Sequence, residues 1–325
     1  MHRSKKISIV VPCYNEEQSV FLLYETVAEM FRNKLYQYNY DLIFIDDYSK
    51  DKTREKIRKL CEKDKEHVRA VFNVSNFGFS RNVFSALTMA DGDAAFLVFG
   101  DLQNPPELLP EFIDKWEKGS KVIIGQKRGS NEGKFICLMR MLYYDVIEIL
   151  SDKSQIRQFN GFGLYDKEFI NILKQIDDMQ PYLKQVIAEY ASDYSIVPYQ
   201  QKESNRGRSN FNFYRNYDFA MEGITSCTKK LMRLSTLCGV ILGIFSAFYA
   251  ISVIIKKILN WSSYPFGMAS ITVGIFFLGA MQLFFIGILG EYILSINTKT
   301  LKRPRVIIGE KINFQKNLLD EEAKE

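Results

Sequence analysis

Near the amino terminus stands the run Ile7-Ser8-Ile9-Val10-Val11, which is followed at once by Pro12-Cys13-Tyr14-Asn15-Glu16-Glu17. A short apolar run that is rich in β-branched residues is typical of a strand buried on both faces of a parallel sheet. Proline ends the run, and the turn after it contains no glycine. This turn therefore matches neither a glycine-rich dinucleotide-binding loop nor a P-loop, although it follows a buried strand.

The same alternation of strand, polar turn and helix continues to about residue 125. Further strands are predicted at Tyr40–Ile45, Val68–Phe72, Ala94–Phe99 and Val122–Gly125. Helices are predicted over Ser19–Phe31, through Ile57 and Leu60, after Ser80, and from Pro105 and Pro106, because proline suits the first turn of a helix. This order of elements predicts a doubly wound α/β sheet.

The composition excludes several classes of protein. Hydrophobic residues make up 47% of the 325 residues, which is too much for a disordered chain. The 43 basic and 38 acidic residues give a net charge of +5, which is too weak a bias to indicate nucleic acid as a partner. With two histidines and no Cys-x-x-Cys pair, neither a zinc site nor a disulfide framework is expected.

The C-terminal third contains two long uncharged stretches, Leu234–Ile255 and Ile258–Gly290. Because about 20 apolar residues suffice to cross a bilayer as a helix, we expect transmembrane helices at Leu234–Ile255 and Phe266–Ser295. A buried helical hairpin in a soluble protein is the alternative. Before them, apolar residues recur at helical spacing among basic ones, which predicts an amphipathic helix on the membrane surface over residues 211–233. An ordinary core-facing helix is the alternative for that segment.

Basic residues flank the predicted hairpin on both sides, whereas its connection carries only Lys256 and Lys257. The positive-inside rule therefore places both ends of the chain in the cytoplasm. The expected organisation is a cytoplasmic domain over residues 1–210, interfacial helices over 211–233, a transmembrane hairpin over 234–295 and a cytoplasmic tail over 296–325. The protein is accordingly expected in the cytoplasmic membrane.

Polar side chains follow three further predicted strands. Asp46 and Asp47 follow the second strand, Asn76-Phe77-Gly78 the third, and Asp101 with Gln103 the fourth. Ligands of open α/β sheets bind at the carboxyl ends of the strands. Carboxylate and amide oxygens suit Mg²⁺ or Mn²⁺, which also binds phosphate, while Asp46 and Asp47 can instead accept hydrogen bonds from a base or a ribose. A plain helix cap remains an alternative for each aspartate.

Taken together, four motifs resemble the family 2 glycosyltransferases. They are Val10–Glu17, Ile45–Thr53, Asn76–Gly78 and Asp101–Glu107. The resemblance is strongest to the polyprenyl-phosphate glycosyltransferases, which include dolichol-phosphate mannose synthases and bactoprenol glucosyltransferases. It covers nearly the whole chain, including Arg206-Gly207-Arg208-Ser209 and the two apolar stretches.

The resemblance implies a GT-A fold, a nucleotide-sugar donor, a divalent cation (Mg²⁺ or Mn²⁺) and inversion at the sugar carbon. The residues that it assigns to nucleotide-sugar binding are Pro12, Tyr14, Glu16, Asp46, Asp47, Asn76, Gly78 and Arg128. It assigns Asp101 and Gln103 to the cation and the diphosphate, and Asp101, Arg206 and Arg208 to catalysis. Arg206 and Arg208 have two alternatives, a solvated loop or binding of anionic headgroups.

Two residues depart from the family pattern. Phe99 stands where the family usually has an aspartate, and Asn104 stands where an aspartate is frequent. The predicted cation shell is therefore thin, with Asp101 and Gln103 completed by donor phosphates and water. Mg²⁺ tolerates such a shell, since it often takes only one or two carboxylates together with phosphates.

The resulting hypothesis is transfer of a single sugar from a nucleotide donor to polyprenyl phosphate, such as undecaprenyl phosphate, at the cytoplasmic face of the membrane. The resemblance favours UDP as the nucleotide and a homo-oligomer as the assembly. One alternative is a processive polysaccharide synthase, although neither tryptophan, Trp116 or Trp261, lies in a Q-x-x-R-W motif. The other alternative is a catalytically inactive membrane scaffold.

Overall fold

The computed structural model describes residues 4–128, 156, 158–178, 181–191, 193–201, 268–300 and 303–314, together with separate helical positions between 237 and 259. The chain divides into two units. The first comprises Met1–Met141, Gln155–Phe211 and Leu301–Glu325, and the second comprises Leu142–Ser154 and Asn212–Thr300. Every predicted site residue that the structure describes belongs to the first unit.

Eight strands form one mixed sheet in the first unit. They are β1 (Lys6–Cys13), β2 (Asn39–Asp46), β3 (Val68–Asn73), β4 (Ala94–Leu97), β5 (Val122–Lys127), β6 (Gly163–Asp166), β7 (Ser195–Tyr199) and β8 (Ile308–Ile312). Their order across the sheet is β7-β5-β6-β4-β1-β2-β3-β8. This is a GT-A-like α/β fold, so the α/β part of the predicted fold class is confirmed, but the sheet is mixed because β6 and β8 run antiparallel to their neighbours.

The first predicted strand lies at the centre of this sheet. Ile7, Ile9, Val10 and Val11 of β1 are fully buried, and β1 continues two residues beyond the predicted end, to Cys13. It pairs in parallel with β2 on one side and with β4 on the other. Along the chain, β2 and β3 are added on one side of β1, and the chain then crosses to β4 on the other side. The crevice between β1 and β4 is therefore the topological switch point of the sheet, the place where open α/β sheets bind their ligands.

Helices cover this sheet. In the first unit they are α1 (Val20–Asn33), α2 (Thr53–Lys63), α3 (Phe79–Met89), a short 3₁₀ turn (Pro106–Leu108) that leads into α4 (Leu109–Glu117), α5 (Lys167–Gln175) and α6 (Leu183–Tyr190). The second unit, taken by itself, contains α7 (Met268–Thr300). In α1, the buried residues Val20, Leu23, Val27, Met30 and Phe31 recur every three or four positions, so one stripe faces the core. The four helices predicted before residue 120 are confirmed.

Strand β6 was not predicted from the sequence. It is only four residues long and begins with Gly163, so it carries little strand signal. A Cβ built on Gly163 would lie 2.4 Å from the carbonyl oxygen of Ile123, so the approach of β6 to β5 requires glycine. Short strands of this kind are positioned by their neighbours rather than by their own pattern.

Strand β8 lies within the segment 296–325 that sequence analysis assigned to a tail, where no strand was predicted. It pairs antiparallel with β3 and covers that edge of the sheet. Arg58 of α2 holds Glu310 of β8 through two bonds of 2.5 Å. The Asn313 amide donates to the carbonyl oxygens of Cys61 (2.9 Å) and Val68 (2.8 Å).

Helix α7 is long and apolar enough to cross a membrane. Its window Phe277–Leu294 has a mean hydropathy of 1.7, and none of that window is buried. This helix overlaps the second predicted span, and it is the one helix of this kind within the residues that the structure describes. In the first predicted span, Leu234–Ile255, only separate positions such as Leu237 and Ile241 are described, and they are helical. The predicted amphipathic helix over 211–233 lies outside the described residues.

Candidate active site

The carboxyl ends of β1 to β4 meet at one edge of the sheet because these four strands are parallel. The loops that leave this edge contain most of the residues singled out by the sequence. They are residues 14–19 after β1, 47–52 after β2, 74–78 after β3 and 98–105 after β4. We call this set of loops the site edge.

Three of the four loops hold a non-glycine residue in the left-handed backbone region. These residues are Asn15 (φ 56°), Tyr48 (φ 63°) and Leu102 (φ 57°), one each after β1, β2 and β4. Such a conformation costs roughly 1–2 kcal/mol for an ordinary residue, and the surrounding structure must enforce it. Backbone strain of this kind concentrates at functional sites, and three of the five described non-glycine residues that show it lie at this edge of the sheet.

The loops after β1 and β2 are joined by hydrogen bonds between side chains and backbone. These bonds are Asn15 N to Ser49 Oγ (2.9 Å), Lys50 N to Asn15 Oδ1 (2.8 Å), Glu16 N to Thr53 Oγ1 (2.7 Å), Glu17 N to Asp51 Oδ2 (3.1 Å) and Lys52 N to Glu17 Oε2 (3.0 Å). Several residues of the first two family-like motifs therefore hold the two loops together. This role accounts for the presence of polar residues at these positions without any ligand.

Asp47 joins the loop after β3 to the end of β2. Its carboxylate accepts hydrogen bonds from the backbone N–H groups of Phe77 (3.0 Å) and Gly78 (2.9 Å) and from the Asn73 amide (3.0 Å). Asp47 is only 3% exposed. The predicted nucleotide contact thus lies at the edge, beside Gly78, and its carboxylate also forms the internal frame of that loop.

Asp46 is fully buried at the end of β2. Its Oδ2 accepts a hydrogen bond from Ser49 N (3.1 Å) and lies 3.1 Å from Nε of Arg54. Burial raises the pKa of Asp46, while the bonds from Ser49 and the charge of Arg54 oppose that rise. Sequence reasoning missed Arg54, although a basic residue in the first turn of α2 was the available signal.

The loop after β1 lies directly against the loop after β4. A Cβ built on Gly100 would lie 3.0 Å from Cγ of Glu16 and 3.2 Å from Sγ of Cys13. Glu16 is 7% exposed, whereas Tyr14 is 37% exposed. Glu16 therefore sits next to the residue that precedes Asp101, at the switch point between β1 and β4.

Asp101 is the carboxylate of the loop after β4. Its Oδ1 accepts a hydrogen bond from the backbone N–H of Gln103 (3.1 Å). Burial raises the pKa of Asp101, although the hydrogen bonds from the backbone of Gln103 and of Asp101 itself lower it. Within the part of the chain that the structure describes, no lysine or arginine forms an ion pair with it. A desolvated carboxylate without such a partner is stabilised by a bound cation.

The end of β7 and the turn before β6 support the loop that carries Asp101. Asn104, which is 1% exposed, donates from Nδ2 to the Tyr199 hydroxyl (2.6 Å) and accepts from Asn160 (3.4 Å). Burial raises the pKa of Tyr199 to about 12. The Gln201 amide donates to Gln103 Oε1 (2.6 Å). Sequence reasoning missed Tyr199 and Gln201, since no motif marks them.

Phe99, which stands where the family resemblance implied an aspartate, belongs to the core. It is 8% exposed, and its ring centroid lies 5.3 Å from that of Phe79. A Cβ on Gly161 would lie 3.6 Å from the Phe99 ring. An apolar wall therefore stands where the resemblance implied a second carboxylate.

The predicted arginines fall in two places. Arg128 follows β5, its side chain is exposed, and its backbone N–H donates to the carbonyl oxygen of Tyr199 (2.7 Å). Arg128 thus lies next to the strand that supports the Asp101 loop. Arg206 and Arg208 lie outside the described residues.

The donor set at the loop after β4 fits a magnesium-type cation that is bound together with phosphate. Asp101 offers a desolvated carboxylate and Gln103 offers an amide oxygen. Among the described residues, no group of three or more His, Cys, Asp or Glu side chains forms a complete metal site. A cation with few protein ligands is usual for Mg²⁺, which keeps phosphate and water oxygens in its shell.

Comparison with known proteins gives a family and several relatives. The profile of Glycosyl transferase family 2 matches residues 8–191. The bactoprenol glucosyl transferase of Shigella phage SfX is 32% identical over 304 residues, which cover 93% of this chain and 98% of that protein. The putative glycosyltransferase CsbB of Bacillus subtilis is 30% identical over 94% of this chain and 91% of its own length.

Two solved structures are similar at lower identity. One is glucosyl-3-phosphoglycerate synthase from Mycobacterium tuberculosis in complex with UDP, with 17% identity, a TM-score of 0.48, and coverage of 68% of this chain and 78% of that one. The other is TarS of Staphylococcus aureus in complex with UDP-GlcNAc, with 16% identity, a TM-score of 0.44, and coverage of 68% and 66%.

Proposed function

Because the chain belongs to glycosyl transferase family 2 and is a glycosyltransferase, we propose that it moves one sugar from a UDP-linked donor to polyprenyl phosphate, with inversion at the sugar carbon. One observation carries this proposal. The similarity to the bactoprenol glucosyl transferase of Shigella phage SfX runs over 93% of this chain and 98% of that protein, so it includes the C-terminal apolar region as well as the sheet domain.

The donor diphosphate is proposed to bind at the loop after β4. Negative charge moves onto the nucleoside diphosphate when the bond between sugar and phosphate breaks. Asp101 and Gln103 would hold a divalent cation, Mg²⁺ or Mn²⁺, that neutralises this charge where it develops. Arg128, Arg206 and Arg208 are proposed to bind the phosphates of donor and acceptor, since guanidinium groups match phosphate geometry.

The nucleoside is proposed to bind along the loops after β1 to β3. Tyr14 offers an exposed ring there, and the framed backbone of residues 76–78 offers a fixed surface. Pro12, Glu16, Asp46 and Asp47 shape this part of the edge from within, because all four are buried. The conformation of these loops is therefore set before the donor arrives, which reduces the entropy lost on binding.

The acceptor needs little activation. The second pKa of a phosphate monoester is near ~6, so a lipid monophosphate is mostly a dianion at neutral pH and can attack the sugar carbon itself. The single described histidine, His67, precedes β3 at the opposite edge of the sheet and stacks on Tyr40. A mechanism without a histidine base agrees with this arrangement.

Helix α7 supports a membrane location for the acceptor. Ile275, Phe277, Leu283, Phe284 and Ile286 expose more than half of their surface on this helix. Exposed apolar side chains of this number mark contact with lipid or with another protein. We propose a multi-pass protein of the cytoplasmic membrane with the catalytic domain and both termini in the cytoplasm, and a homo-oligomer as its assembly.

Purified full-length protein, incubated with undecaprenyl phosphate and a panel of labelled nucleotide sugars, tests the proposal. The expected product is a lipid that carries one labelled sugar, and the anomeric configuration read by NMR is expected to be opposite to that of the donor. A growing polymer would indicate a processive synthase instead. Absence of turnover with every donor, in protein that is folded, would indicate a scaffold.

A further inference from the structure

Two side chains, one at the end of β7 and one just after it, form hydrogen bonds to the loop that carries Asp101. Tyr199 receives the hydrogen bond of Asn104, and Gln201 donates to Gln103, both over 2.6 Å. Tyr199 and Gln201 are two residues apart, so in an extended segment they point to the same side. The intervening Gln200 is exposed.

Backbone contacts fix the loop but do not fix the Gln103 side chain. Leu102 adopts a φ of 57°, and Gln103 N donates to Asp101 Oδ1 over 3.1 Å, so the turn itself is defined. A glutamine side chain has three further torsions and loses on the order of 1.5–2 kcal/mol of rotamer freedom when it is held in one conformation. The bond from Gln201 determines where the Gln103 oxygen lies.

We propose, on the basis of the proposed function, that Gln201 is a positioning residue for the donor diphosphate and its cation. An amide oxygen has two lone pairs. Gln201 occupies one lone pair of Gln103 Oε1, which leaves the other for a cation shared with Asp101. Partners that orient metal ligands in this way typically contribute 10- to 100-fold to metal affinity.

The chemistry of the pair explains why both partners are amides. Asp101 is already a desolvated carboxylate, so a second anion at position 201 would add repulsion within the site. A lysine or arginine at position 201 would place a positive charge beside the cation. A neutral donor orients Gln103 without changing the charge of the site.

Binding of UDP to the full-length protein tests the proposal when it is measured by calorimetry with Mn²⁺ and again with EDTA. We expect Gln201→Ala and Gln201→Leu to weaken UDP binding about tenfold in Mn²⁺ and to leave it unchanged in EDTA. Gln200→Ala, the matched control, is expected to behave as wild type. Because Gln201 acts through Gln103, the Gln103→Ala/Gln201→Ala double variant is expected to bind no more weakly than Gln103→Ala.

The outcomes separate this proposal from the proposed function. Unchanged binding in both Gln201 variants, or additive losses in the double variant, would overturn the role of Gln201 and leave the glycosyltransferase function intact. A loss that is equal in Mn²⁺ and EDTA, accompanied by a lower unfolding temperature, would show a merely structural contact and would also overturn it. If neither UDP nor GDP binds wild type in a cation-dependent manner, the proposed donor site is wrong as well.

Discussion

The loops after β1 and β2 differ from the loop after β4 in how they use their carboxylates. In the first group, Glu17, Asp47 and Asp51 accept hydrogen bonds from backbone N–H groups of neighbouring loops. In the loop after β4, Asp101 accepts from its own turn, at Gln103, and forms no ion pair with any lysine or arginine that the structure describes. The same residue type, at the same edge of one sheet, therefore has two roles.

At this edge of the sheet, carboxylates that hold the loop backbone therefore lie beside one carboxylate, Asp101, that is available to a cation. The first three loops form a closed network that holds the backbone, including the strained Asn15 and Tyr48. The fourth loop keeps a desolvated carboxylate that a cation can stabilise. A substitution in the closed network should therefore affect stability, and a substitution at Asp101 should affect chemistry.

The largest effect is expected for Asp101→Asn. Removing a group that stabilises developing charge typically costs at least 10²- to 10³-fold in turnover, and we expect a loss of about 10³-fold. The ligand-free variant should be at least as stable as wild type, because a partly buried, desolvated carboxylate is replaced by a neutral amide that can still accept from Gln103. Turnover and thermal unfolding measure both effects. Activity within tenfold of wild type would contradict the assignment of Asp101 to the cation.

A second test concerns the positive charge near the loop after β4, since no lysine or arginine that the structure describes forms an ion pair with Asp101. If Arg206 supplies it, Arg206→Ala should lower turnover by about 10²-fold, in line with the loss of one charge-stabilising donor. Lys202→Ala, four residues earlier in the same basic segment, is the control and should lower turnover much less. Equal losses in the two variants would show that the segment contributes only general positive surface charge.

In the closed network, Asp47→Asn is expected to lower the free energy of unfolding by about 2 kcal/mol. Either orientation of the new amide points N–H groups at the N–H donors of Phe77 or Gly78, and a buried donor left without an acceptor costs about 1–3 kcal/mol. Urea unfolding measures this loss. Asp51→Asn, which affects the N–H groups of Glu17 and Thr53, should lower stability by a similar amount. It should weaken UDP binding less than Asp47→Asn does. Full stability in Asp47→Asn would show that the frame is not needed.

A pH series distinguishes the two kinds of carboxylate further. Because burial raises the pKa of Asp101 above its unfolded value, the folded protein gains stability relative to the unfolded chain as the pH falls through that pKa. The free energy of unfolding of Asp101→Asn should therefore exceed that of wild type most at neutral pH. This difference should shrink on acidification, by about 1.4 kcal/mol for each unit of pKa shift. Urea unfolding of both proteins across the acid range measures it. A constant difference would mean that Asp101 is not desolvated.

Much of the fold could be predicted because its signals are local. The buried strands β1 to β5 and the helices between them follow from apolar runs and polar turns, and the family and the enzyme class inferred from the motifs are confirmed. Strand β6 and strand β8 could not be predicted, because a four-residue strand and an edge strand depend on their partners. The roles of Arg206 and Arg208 stay predictions, since these residues lie outside the described residues.

The site was predictable in position but not in its internal contacts. The rule that ligands bind at the carboxyl ends of parallel strands led directly to Asp47 and Asp101. No sequence pattern indicates that Asp47 frames the loop after β3, or that Gln201 contacts Gln103 across 98 positions. Such contacts depend on tertiary geometry. The spacing of residues in a motif therefore does not tell which of them hold the loops together and which would bind the ligand.

The smallest effect on ligand binding is expected at Gly78, where the closed network meets the start of α3. Gly78 has a φ of 91° and Gly119, after α4, has a φ of 102°, and a Cβ on either glycine would meet nothing within 4 Å. Alanine at each position should therefore lower stability from backbone conformation alone, by about 1–3 kcal/mol at Gly78, because its φ of 91° and ψ of 164° lie in a region essentially confined to glycine. Only Gly78 donates its N–H to Asp47, so only Gly78→Ala should also weaken UDP binding, by a few-fold. Parallel urea unfolding and calorimetry of the two variants measure this, and an equal change in UDP affinity for Gly119→Ala would mean that the loop after β3 has no special link to the donor.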